Sequence, residues 1–259
     1  MRTKSLASVI IALLAFPAIA TAQDAKGQSI KDMPMGPDSA AAMAAEHGGG
    51  VYHAIRLETD IGHDDGDTTA SWDLDGWIGG DINKLWLKSE GELRGAKTEK
   101  AEAWALYSRN VSTFWDAQVG LRQDFQTAGG GKAHTYLTAG INGLAPYFFD
   151  TEAHVFVRDD GAISARFRQE NEILLTNRLI VKPRLEINLN GQADRAIGLG
   201  TGVTDAALGL QTRYEISRHV APYIDLKYEK KFGQTADFAR LRGEKPESTT
   251  LTAGIRWLF

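Results

Sequence analysis

The chain has 259 residues, 29 basic against 33 acidic, a formal net charge of −4 and no cysteine. Such mild acidity speaks against a nucleic-acid partner, which needs a basic face, and the missing thiols exclude a disulfide framework and a thiolate metal centre. Beyond the amino terminus no uncharged apolar stretch approaches the ~20 residues of a spanning helix, so any passage through a bilayer falls to strands.

Residues 1–22 read as a secretory signal peptide. Arg2 and Lys4 precede an apolar run from Val9 to Phe16, and Ala20-Thr21-Ala22 forms a small-x-small cleavage site. Removing Arg2 and Lys4 takes the net charge from −4 to −6, which suits a cation-handling role. Residues 23–50 are polar, broken by Pro34 and Pro37 and ended by Gly48, Gly49 and Gly50. With few large apolar groups to bury, they are expected to form a disordered periplasmic arm. Apart from Met1, every methionine falls there, as Met33, Met35 and Met43, with His47 close by.

From Val51 onward, apolar and charged residues alternate with the period of two that marks a half-buried strand. Residues 51–61 set Ile55, Leu57 and Ile61 against Arg56, Glu58 and Asp60. Residues 69–79 set Trp72, Leu74 and Ile78 against Asp73 and Asp75, and residues 84–94 set Leu85 and Leu87 against Lys88, Glu90 and Glu92. A fourth run, 100–108, alternates less cleanly. Runs at 115–125, 135–143, 147–157, 163–173, 179–189, 206–216 and 220–228 follow, divided by turn residues such as Asp159-Asp160-Gly161. The last, 251–259, places Leu251, Ala253, Ile255, Trp257 and Phe259 on one face and ends on that aromatic. It is similar to the closing strand of a bacterial outer-membrane barrel.

Charges at every second residue do not belong in the core of a soluble sandwich, whereas a barrel in lipid turns its apolar faces outward and keeps a polar lumen. The predicted fold is all-β, a transmembrane antiparallel up-and-down β-barrel over residues 51–259 of about twelve strands, with eight or ten as alternatives. An even count puts both ends on the periplasmic side. Connections one (62–68), nine (191–203) and eleven (232–248) are predicted to be the long ones. Acid–base pairs two apart on one strand, such as Arg56 with Glu58, Arg184 with Glu186 and Arg213 with Glu215, predict a constricted lumen rather than an open pore.

Residues 80–91 (GDINKLWLKSEG), 144–147 (LAPY), 174–179 (LLTNRL), 213–216 (RYEI) with 221–223 (APY), and 232–237 (FGQTAD) together resemble the copper resistance protein B family, in order over nearly the whole chain after the arm. The resemblance implies a copper-handling barrel of the outer membrane, with lipid and copper ions as partners and a periplasmic copper oxidase or carrier beside it. The family's Met- and His-rich arm is matched by Met33, Met35, Met43 and His47, a sparse version that favours capture and delivery over storage.

Thioether and imidazole suit Cu(I), so these four residues are candidate copper ligands. Inward-facing His154 and Glu152 on the seventh strand, with His134 on the sixth, are candidates for a Cu(II) station, since Cu(II) takes imidazole and carboxylate. Copper is thus expected as Cu(I), Cu(II) or both, as a bound ion rather than a catalytic cofactor. Membership in a lumenal hydrogen-bond network is the plainer account of His154, Glu152 and His134. His63, near Asp64, Asp65 and Asp67, sits in a loop that a solvated acidic cluster explains as well as a cation funnel does. Inward-facing Ser71 and Ser164 have no inward histidine on their own strands, so the chain is not expected to be an enzyme, and an outer-membrane hydrolase is the remote alternative. A non-specific porin or structural barrel is the competing reading.

Overall fold

A computed structural model describes residues 50–64, 67–95, 97–125 and 132–259. The predicted signal peptide and arm, with Met33, Met35, Met43 and His47, lie outside the described residues.

Twelve antiparallel strands close into one barrel. They are β1 (Tyr52–Asp64), β2 (Asp67–Gly79), β3 (Asn83–Arg94), β4 (Lys97–Ser112), β5 (Trp115–Asp124) and β6 (His134–Ala145), then β7 (Phe149–Arg158) and β8 (Ile163–Asn171). A short piece, Ile173–Leu174, continues β8 and pairs with β9 (Leu179–Asn190). β10 (Gly202–Tyr214), β11 (Val220–Lys231), a helix α1 (Gly233–Leu241) and β12 (Glu247–Leu258) complete the chain. Each strand pairs with its sequence neighbours, and β12 pairs with β1 from Arg56↔Leu258 to His63↔Leu251. Phe259 seals this seam: its backbone N–H donates to Ile55 O at 2.9 Å and its carbonyl accepts from Ile55 N at 3.1 Å. With no free edge, every strand's backbone is paired within the sheet, which is the condition for standing in hydrocarbon.

The distribution of side chains is inverted relative to a soluble protein. Leu121 and Leu137 are each 56% exposed on the outer face, whereas Glu102 is 1% and Lys182 2% exposed on the inner one. On the outer face Leu210, Leu226 and Leu251 are direct cross-strand neighbours on β10, β11 and β12. Inside, Trp104, Leu106, Tyr136 and Phe156 pack as an apolar cluster against one wall, with Trp86 beside them. No described helix is long and apolar enough to cross a membrane.

The alternation therefore places residues radially as expected, but some connections differ. The first is tight rather than long, because β1 continues to Asp64 and β2 resumes at Asp67. Gly62, read as a loop residue, lies in the ladder where a Cβ would stand 2.5 Å from Leu251 O, so its missing side chain marks close approach of strands rather than a turn. The eleventh connection contains α1, which its short, Gly-flanked sequence did not announce. Between β6 and β7 a turn at Pro146–Phe148 holds Tyr147 and Phe148 at φ 65° and 63°, left-handed conformations that L residues seldom adopt.

Candidate functional site in the barrel lumen

The strand register brings five carboxylates into one row around the inner wall. Glu58 on β1 is opposite Asp73 on β2, Asp73 opposite Glu90 on β3, Glu90 opposite Glu102 on β4, and Glu102 opposite Asp124 on β5. Like charges directly across a ladder, with Cβ atoms about 5 Å apart, repel, so this belt stands only because cations reach it. They come largely from the other side of the barrel. Arg166 on β8 donates to Glu102 at 2.8 and 3.3 Å, and Arg168 Nη2 donates to Glu90 at 2.8 Å and to Glu186 at 2.9 Å. Arg122 joins Glu102 at 2.9 Å and Asp124 at 2.6 Å, while Lys100 joins Glu90 at 2.9 Å.

A second layer lies nearer the end that carries Phe259. Lys88 Nζ stands 2.6 Å from Glu152 and 3.1 Å from Asp75. Lys182 stands 3.3 Å from Glu170, and Arg56 stands 3.6 Å from the same residue. Arg184 reaches Asp225 at 2.7 Å. In this layer the ion pairs run across strands and across the lumen, whereas Arg122 with Asp124 and Lys227 with Glu229 pair along one strand. Of the three pairs expected from spacing, only Arg213 with Glu215 is an ion pair, at 3.6 Å. Residues two apart on a strand are separated by about 6.6 Å along it, farther than direct cross-strand neighbours, so spacing alone favours the neighbour.

These side chains divide the lumen. A chamber of about 630 Å³ lies toward the long connections and one of about 50 Å³ toward the termini, and Asp73, Arg168 and Arg184 line both. Twelve carboxyl side chains and nine cationic ones line the larger chamber, five and four the smaller, so each has a surplus of negative charge. Over the larger one lies a cap. Thr235 on α1 accepts from Gly200 N at 2.9 Å, and Arg242 donates to the carbonyls of Arg195 at 3.0 Å and Ala196 at 3.1 Å. Arg158 fastens the same loop through Asp194 at 2.8 Å.

The histidines and the glutamate expected to form a metal station have other partners. His154 is buried, its Nε2 2.9 Å from Gln118 Oε1 and its ring edge-on to Trp104 with centroids 5.3 Å apart. Glu152 accepts from Lys88 and, at 3.1 Å, from Asn142. His134 is not brought to them. Its Nδ1 is 2.9 Å from Asp159 Oδ1 at the long-connection end, and it lies six residues along β6 from Gly140, the partner of His154, a distance of about 20 Å. His63 is exposed and closes the β1–β12 pairing opposite Leu251. Among the described residues no three His, Cys, Asp or Glu side chains are grouped to hold a metal ion. The acidic belt was missed at the sequence level. Its members were visible as polar-face residues, but only the register shows that five of them share one height.

Residues 52–259 match the family described as copper resistance protein B precursor (CopB). The chain is 44% identical over 189 residues to "Copper resistance protein B" of Escherichia coli, a match covering 73% of this chain and 63% of that protein. It is 38% identical over 246 residues to "Copper resistance protein B homolog" of Pseudomonas syringae pv. tomato (strain ATCC BAA-871 / DC3000), covering 91% of this chain and 82% of that protein. The chain thus spans less than two thirds of the length of the first of these relatives. In fold it is similar to the NanC porin, with a TM-score of 0.55 at 10% identity over 78% of this chain and 98% of that one. The KdgM porin gives 0.51 at 9% identity over the same shares. A closed barrel of outer-membrane type, matched along nearly all of its length by the family profile, makes this chain a member of the copper resistance protein B family.

Proposed function

We propose that this barrel binds copper ions on its amino-terminal arm and handles them at or through a lumen that is divided rather than open, as part of copper resistance. The observation that carries the reading is the lumen of a copper resistance family member: acidic in surplus, partitioned by ion pairs, and without a wide path. Every methionine lies at or before Met43, so the barrel wall offers no thioether. Soft Cu(I) chemistry then belongs to Met33, Met35, Met43 and His47, and the wall offers oxygen donors suited to Cu(II). In this reading the arm and Phe259 face the periplasm, where a copper oxidase or carrier exchanges metal with the arm, and α1 faces outside. The protein works by binding and passage, not by making or breaking bonds.

The test is a deletion of residues 32–47. Copper titration of purified protein is expected to lose its tightest sites, and cells carrying the deletion are expected to change their copper content under copper stress. Equal stoichiometry together with equal cellular copper would remove the arm from the function.

A further inference from the structure

Within the acidic belt one carboxylate differs from the rest. Glu90, Glu102 and Asp124 each accept from Lys or Arg, and Glu58 Oε2 accepts from Gln211 Nε2 at 3.0 Å. Asp73 receives neither a hydrogen bond nor an ion pair from any described residue. Among the described residues it is also the only acidic one that lines both chambers. Its neighbouring cations are committed elsewhere: Arg168 to Glu90 and Glu186, Arg184 to Asp225, Arg56 to Glu170.

A second observation comes from across the ladder. Glu58 is 6% exposed and Gln211 1%, and Glu58 Oε1 and Gln211 Oε1 are buried oxygens with no hydrogen-bond donor. Lys182 Nζ stands 3.8 Å from Glu58 Oε1, beyond hydrogen-bond reach, and closer to Glu170. Buried acceptors left without donors are costly, and a bound ion or its water is one way to satisfy them. Glu58 and Gln211 line the larger chamber beside Asp73.

We propose that Asp73, with the oxygens of Glu58 and Gln211, forms a transit site for a small hydrated divalent cation at the partition between the two chambers. The inference rests on the copper-handling reading, in which the cation is Cu(II). Two carboxylates and an amide oxygen are fewer ligands than a storage cage uses, so the ion keeps water and exchanges. That is what passage requires: binding strong enough to enter and weak enough to leave.

The experiment uses the full chain in planar bilayers, with reversal potentials in a salt gradient and with added Cu²⁺. Asp73→Asn and Glu58→Gln are expected to lower the cation-to-anion permeability ratio several-fold and to weaken block or permeation by Cu²⁺. Asp205→Asn makes the same charge change in the larger chamber, at a carboxylate held by Asn188 and Thr204, and is expected to leave both readouts near wild type. Retention of a heat-modifiable gel band shows that each variant is folded. Unchanged selectivity in folded Asp73→Asn, an equal loss in Asp205→Asn, or a wild-type barrel that conducts no cations overturns the proposal. If the arm deletion still alters copper binding in any of these cases, the transit site fails and the copper function stands. If Asp73→Asn alters potassium selectivity while Cu²⁺ neither blocks nor permeates the wild type, the site stands for other cations and the barrel's role in copper passage fails.

Discussion

At the scale of single residues, the lumen illustrates how a buried charge is tolerated only in company. Glu102, almost fully enclosed, lies between Arg166 and Arg122, and the guanidinium of Arg122 also stacks over Phe156 at 4.8 Å and Tyr136 at 5.0 Å. Arg166→Met keeps the volume but takes away the closest cation. Removing one partner of a buried pair costs about 3–5 kcal/mol where the remaining charge is left uncompensated, and Arg122, still 2.9 Å from Glu102, keeps the loss at the lower end of that range. Denaturant unfolding in lipid is expected to show a loss of that order, with much of it regained in Glu102→Gln/Arg166→Met; a double variant as unstable as the single would mean that packing, not charge, holds this contact. A gentler electrostatic effect operates at the mouth. The hydrogen bond from His134 holds the Asp159 carboxyl below its usual range, and at Asp194 burial pushes upward but is outweighed by the hydrogen bond and charge of Arg158 together with the backbone N–H groups of Ala196 and Ile197. Both folded values are depressed, so their contribution is fully present above the ordinary carboxylate range, about 4, and is lost as pH falls through the lowered values. Amide protection factors, with the intrinsic slowing of exchange in acid divided out, are therefore expected to fall in residues 159–162 and 191–201 from pH 6 to pH 3, ahead of those in the strands.

At the scale of elements, the same alternation that announced the strands fixes what each face tolerates. Leu226, flanked by Leu210 and Leu251, faces outward, and its neighbour Lys227 faces inward, 3.0 Å from Glu229. Leu226→Arg near the bilayer midplane is expected to cost about 2–4 kcal/mol, whereas Lys227→Arg leaves stability near wild type; similar losses at both positions in lipid-based unfolding would contradict the assigned facing. Strand existence and facing were legible because a period of two needs only local sequence. Strand ends were less so, since a glycine such as Gly62 looks alike in a turn and in a tight ladder. α1 was illegible for a related reason. With nine residues and three buried small side chains, Thr235, Ala236 and Ala239, it has almost no apolar stripe to advertise, and its place is set by contacts to the loop 191–201. Arg242→Ala removes the donors that bind that loop's carbonyls and is expected to raise protease nicking within it without altering the gel shift of the barrel.

For the whole molecule, closure creates what no single strand contains. Gln211 meets Glu58 across 153 positions of sequence, and Tyr223 donates to Asp60 across 163. Alternation says that a side chain points inward; it does not say which inward residue it meets, and so the expected metal station of His154, Glu152 and His134 came from facing alone. The register gives Glu152 to Lys88 and leaves His134 far along β6. What closure adds is a set of cationic side chains reaching across the lumen, and these decide what can pass. Lys88 and Arg168 contact carboxylates on strands well away from their own, so the passage is obstructed along its axis even though the wall encloses about 630 Å³ in its larger chamber. Vesicles containing the wild-type protein are then expected to swell slowly or not at all in an isotonic disaccharide, while Lys88→Ala/Arg168→Ala, with two of those side chains cut short, is expected to swell faster. Equal and rapid swelling by both would show that the ion pairs yield to neutral solutes. The wall would then be that of a general porin, and discrimination would have to reside in the cap formed by α1 and residues 191–201.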